Sequence, residues 1–76
     1  MTRPLHAIAR DITANWPNIN YAAVPYLQAM RELNSVNDMY MFDSARSVVL
    51  YFLGNATTWR GPEARRIKAE LKEMLE

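Results

Sequence analysis

The chain contains no cysteine, one histidine, two glycines and almost no net charge, formally +1. Without cysteine there are no disulfides, no thiolate metal sites and no cysteine nucleophile. The single histidine, His6, cannot make a zinc site without other soft ligands, and it is expected to be half-exposed near the N-terminus. Two glycines, Gly54 and Gly61, cannot form a phosphate-binding loop. A net charge near zero gives no global field for nucleic acid and excludes an acidic DNA mimic. Nor is any apolar run long enough to cross a bilayer, the longest being six residues, Val48 to Leu53. No signal peptide is read at Met1–Pro4, so the cytoplasm of the host cell is the expected location. The sequon Asn55-Ala56-Thr57 has no meaning without such a signal.

What remains is ample apolar material for one small domain: 76 residues, half of them hydrophobic. Neither repeats nor linkers divide the chain, which reads as a single helical domain over residues 1–76.

The segment from Asp43 to Ala56, DSARSVVLYFLGNA, organises the rest. Its run of Val, Tyr and Phe has strand propensity. Three features favour a helix instead. Asp43 is a good N-cap. Ala45, Val48, Val49, Phe52 and Ala56 recur at helical spacing. The chain offers no convincing second strand to satisfy a lone one. The expectation is a buried helix from Ser44 to about Thr57, wrapped by the others. Gly54 costs about 1 kcal/mol there against alanine, which close approach of a neighbouring helix would explain.

The remaining elements follow from periodicity and punctuation. Thr2 can cap a first helix with Pro4 in its first turn. Leu5, Ile8, Ala9, Ile12 and Trp16 then share a face, and Pro17 ends it. Pro17–Asn20 is a turn. A second helix spans about Tyr21–Leu33, starting near Val24 or led in by a short turn, with Ala23, Tyr26, Leu27, Met30 and Leu33 inward. Asn34–Asp38 is a polar link. Met39–Phe42 should tuck against the core as irregular structure or one helical turn. Gly61-Pro62-Glu63 then starts a last helix running to about Leu75. Ala64, Ile67, Leu71 and Met74 form its apolar face, with Arg66–Glu70 and Lys72–Glu76 paired on the surface. The fold class is all-α, a compact bundle of about four helices around a buried third.

No acid–base pair, nucleophile or metal cluster stands out. Asp38 and Asp43 read as a turn residue and an N-cap. The chain is expected to be no enzyme, with no catalytic residue, cofactor or metal.

The basic residues carry more information. Arg60, Arg65, Arg66, Lys68 and Lys72 are five of the nine in the chain. At about 100° per residue, Arg65, Lys68 and Lys72 share one face, with Arg66 at its flank. Such a stripe suits phosphates, but Glu63, Glu70, Glu73 and Glu76 are interleaved with it, as on a solvated face. A helix-turn-helix is disfavoured by the long Ala56–Gly61 link. Trp59-Arg60 combines the two residue types enriched at binding hot spots; alternatively Trp59 closes the end of a small core. The expected partner surface is Trp59, Arg60, Arg65, Arg66, Lys68 and Lys72.

The stretches TRPLHAIARDI, PYLQAM and DSARSVVLYFLGNATTWRGPEARRIKAELKEML resemble a group of small proteins encoded by bacteriophages and prophages. The similarity in arrangement runs over the whole chain. It carries over no catalytic or binding residue. It implies a phage or mobile-element origin, and compact cysteine-free proteins of that kind often act stoichiometrically on host machinery, anti-CRISPR and other anti-defence inhibitors among them. The leading expectation is therefore a non-enzymatic inhibitor or redirector of a host protein complex, as monomer or homodimer and away from membranes. The second is a small nucleic-acid-binding or regulatory protein using the basic last helix.

Overall fold

The computed structural model describes residues 3–41 and 43–76. Four α-helices make up most of it: α1 (Leu5–Asn15), α2 (Val24–Met30), α3 (Ala45–Gly54) and α4 (Pro62–Leu75). A 3-10 turn, Tyr21–Ala23, leads into α2, and two short strands, β1 (Met39–Tyr40) and β2 (Asp43–Ser44), precede α3. The architecture is mainly helical, but it is not purely all-α. The strands pair antiparallel, Met39 opposite Ser44 and Tyr40 opposite Asp43. This pair takes the place of the irregular structure or single helical turn expected at Met39–Phe42, and Met39 and Met41 are exposed rather than tucked against the core. Met41 takes a positive φ of 56° in the connection, and Phe42 lies outside the described residues.

α1 buries Leu5, Ile8, Ala9 and Ile12, with Trp16 buried just beyond. Those are the positions its periodicity predicts. Its start differs: Pro4 precedes the helix and no side chain caps it. Thr2, the expected cap, lies outside the described residues. Two of the first amides are satisfied from elsewhere, Leu5 N–H donating to the Asn34 carbonyl and His6 N–H to the Leu33 carbonyl, both at 2.9 Å. The end of the second helical segment thereby caps the first. α2 ends at Met30 rather than Leu33. Glu32 and Leu33 close instead with tight bonds to the Ala29 and Met30 carbonyls.

Asp38 shapes the link that follows. Its carboxylate accepts from the Asn34 and Ser35 amides at 2.8 and 3.1 Å. These backbone bonds hold its pKa below the ordinary aspartate value.

α3 is capped by Ser44, not Asp43. The Ser44 hydroxyl accepts from the Ser47 amide at 3.1 Å, while the Asp43 backbone is engaged in the strand pair. Ala45, Val48, Val49 and Phe52 are buried and α3 packs most extensively on α2. Yet the helix is not wrapped on all sides, because Leu50 and Tyr51 face solvent. Gly54 is its last residue, and nothing lies within 4 Å of where a Cβ would stand. No neighbouring helix approaches there.

α4 begins as expected. Gly61 precedes it at φ 110°, a conformation that favours glycine, and Pro62 opens the first turn. Ala64, Ile67 and Leu71 are buried, and Met74 and Leu75 pack partly against the same core. α4 lies on α1 and α3.

Candidate functional site

The six residues expected at a partner surface separate into three groups. Trp59 belongs to the core. It is 4% exposed, and its ring stacks on Trp16 at 5.4 Å between centroids, 12° from parallel. Trp16 in turn meets Phe52 edge-on at 6.2 Å. An indole so placed seals the end of the α1–α3 core and is not free to insert into a partner.

Arg66, whose side chain is half exposed, and Lys68 are engaged by partners within the chain. Arg66 donates to Glu63 at 2.8 Å and to Asp11 at 3.3 Å, in place of the expected pair with Glu70. Glu70 instead takes a two-pronged contact from Arg3, at 3.0 and 2.8 Å, and Arg3 also reaches Asp11 at 3.0 Å. Arg3, Asp11, Arg66 and Glu70 thus tie α1 to α4. The Arg3 bond lowers the Glu70 pKa against the opposing effect of its partial burial. At Asp11, partial burial raises the pKa, but Arg3 and Arg66 together outweigh it and hold the group below the ordinary value. Lys68 Nζ folds back to donate to the Trp59 carbonyl at 2.6 Å, 5.9 Å from the centre of the Trp59 ring. Burial lowers the Lys68 pKa, and the nearby charges of Lys72 and Arg60 lower it further.

Arg60, Arg65 and Lys72 remain exposed. Among the described residues, none of the three makes a side-chain hydrogen bond or an ion pair. Beside Arg60 a cleft of about 340 Å³ opens between Trp16, Pro17, Asn18, Thr58 and Trp59. The basic surface is therefore smaller than the sequence suggests, and its aromatic member is covered.

Other exposed side chains are apolar, Tyr21 ahead of α2 among them at 91%. Leu50 and Tyr51 on α3 are 53% and 58% exposed, and Met39 and Met41 around the strand pair are 62% and 80% exposed. Between α2, α3 and the strands lies a cavity of about 260 Å³, lined by Pro25, Tyr26, Ala29, Tyr40, Asp43, Val48 and Tyr51. Tyr26 and Tyr51 form one wall, with centroids 5.6 Å apart and planes at 33°. The apolar runs Met39–Phe42 and Val48–Leu53 predict core positions throughout, whereas Met39, Met41, Leu50 and Tyr51 are exposed. The signal was present in the spacing, since Leu50 and Tyr51 fall outside the Ala45–Val48–Val49–Phe52–Ala56 stripe.

Among the described residues, no group of three or more His, Cys, Asp or Glu able to hold a metal occurs and no helix is long and apolar enough to cross a membrane. Compared with known protein families, curated proteins and solved structures, the chain matches none. The resemblance to phage-encoded proteins gains no support from these comparisons.

Proposed function

We propose that the chain is a non-enzymatic binding protein that docks on a host protein complex and inhibits or redirects it, in the manner the phage-type resemblance implies. One observation carries this reading: among the described residues five large hydrophobic side chains, Tyr21, Met39, Met41, Leu50 and Tyr51, stand more than half exposed. Water-facing apolar area is unfavourable by about 25 cal/mol per Å², and Tyr and Met are enriched where proteins meet. The exposed cations Arg60, Arg65 and Lys72 add steering for an acidic partner rather than the anchor itself. With Arg66 and Lys68 committed to internal contacts, the face of α4 offers fewer charges to a phosphate backbone than the sequence pattern promised.

The test is capture from host lysate by the immobilised protein, with and without nuclease. Retention of a defined protein complex after nuclease is the expected result. Loss of every partner after nuclease would transfer the function to nucleic-acid binding.

A further inference from the structure

We propose that the cavity between α2, α3 and the strand pair is a receptor for an alkylammonium group, a lysine side chain presented by the partner protein. The inference rests on the protein-binding reading and names the chemistry of one contact within it. Three of the lining residues are tyrosines, Tyr26, Tyr40 and Tyr51, and the only charged one is Asp43. An aromatic wall with a carboxylate beside it attracts a cation twice, through the ring quadrupoles and through direct charge pairing. Among the described residues, the Asp43 side chain has no ion-pair or hydrogen-bond partner of its own. Its backbone is held by the pairing with Tyr40, so the carboxylate is placed by the strand pair and not by a partner in this chain.

The other lining residues, Pro25, Ala29 and Val48, are apolar and suit a hydrocarbon stem. A volume of about 260 Å³ accommodates a four-carbon chain and its head. A guanidinium can also stack on a single ring face, so n-butylguanidinium is the comparator: tighter binding of it than of n-butylammonium would overturn the lysine assignment.

Titration of the intact protein with n-butylammonium, followed by NMR at Ala29 and Val48, tests the assignment. Saturable shifts are expected at both positions. n-Butanol, with the same stem and no charge, should bind about three- to tenfold more weakly. Asp43→Asn should abolish that preference, while Glu32→Gln, at an exposed carboxylate outside the cavity lining, leaves it intact. Asp43→Asn spares the Ser44 cap and the backbone pairing, so circular dichroism should match the wild type. Absence of saturable shifts, equal binding of butanol, or an unaltered preference in Asp43→Asn would each overturn the proposal. Tighter binding of tetramethylammonium than of n-butylammonium would also overturn it, in favour of a free quaternary cation. These outcomes are read on the chain alone, so they are distinct from failure of the nuclease-treated capture, which would remove the protein-binding reading itself.

Discussion

Lys68 reaches back across the turn before α4 to donate to the Trp59 carbonyl at 2.6 Å, with its ammonium 5.9 Å from the centre of the same indole. Two residues that read as neighbours on a binding surface instead fasten each other. Trp59 is buried against Trp16, so Trp59→Ala should destabilise the fold by about 3–5 kcal/mol, the usual range for a buried large aromatic. Urea unfolding measures this. A variant as stable as the wild type would mean the indole is not core.

Phe52 is fully buried on α3 and meets Trp16 edge-on. Phe52→Ala should likewise cost about 3–5 kcal/mol, a large share of what a domain of this size holds. Leu50→Ala, on the opposite face of α3 and half exposed, should leave the urea midpoint nearly unmoved. Equal losses at both positions would contradict the one-sided burial of α3.

The cap of α3 gives a sharper comparison. Ser44→Ala removes the acceptor for the Ser47 amide and should cost about 1 kcal/mol. Asp43→Ala removes a side chain that caps nothing and should not shift the midpoint. The reverse ranking would restore the Asp43 cap that the sequence suggested.

The Arg3–Glu70 contact makes stability depend on pH. The folded-state pKa of Glu70 lies below its ordinary value, chiefly through the Arg3 hydrogen bond. A group depressed in this way contributes its full stabilisation above the unfolded carboxylate pKa, near 4.3 for Glu. That contribution fades as pH falls through the folded value. Arg3→Ala should therefore lower stability at neutral pH, by about 0.5–1 kcal/mol for a partly exposed pair, and flatten the decline below about pH 4.5. Thermal melts of both proteins across the acid range check this. An unchanged acid slope in Arg3→Ala would show that other carboxylates set it.

The comparison between sequence and structure turns on a few residues. The faces of α1 and α4 are legible because each is an amphipathic stripe at regular spacing, bounded by Pro17 in one case and Gly61-Pro62 in the other. α3 is half legible: its stripe gives Val48, Val49 and Phe52, but the continuous apolar run hides the outward turn of Leu50 and Tyr51. The strand pair is illegible because two residues per strand carry no alternation, and its register depends on the loop through Met41. Trp59 is ambiguous for a different reason. Its partner Trp16 lies far away in sequence, and only the packing of helices brings the two rings together. The same holds for Arg66, whose Asp11 partner sits on α1. Local spacing favoured Glu70, which the chain gives to Arg3.

The exposed apolar side chains of α3 are central to the proposed function, and one comparison tests them directly. The double variant Leu50→Glu with Tyr51→Gln and the double variant Arg65→Glu with Lys72→Glu are both expected to keep the wild-type fold by circular dichroism. Each is then used to capture the partner complex from nuclease-treated host lysate, and association and dissociation rates are followed on the purified complex. The α3 variant should lose the complex through faster dissociation. The basic-face variant should retain it with slower association and weaker salt dependence. Capture unimpaired in the α3 variant but abolished in the basic-face variant would contradict the account and place the interaction on α4.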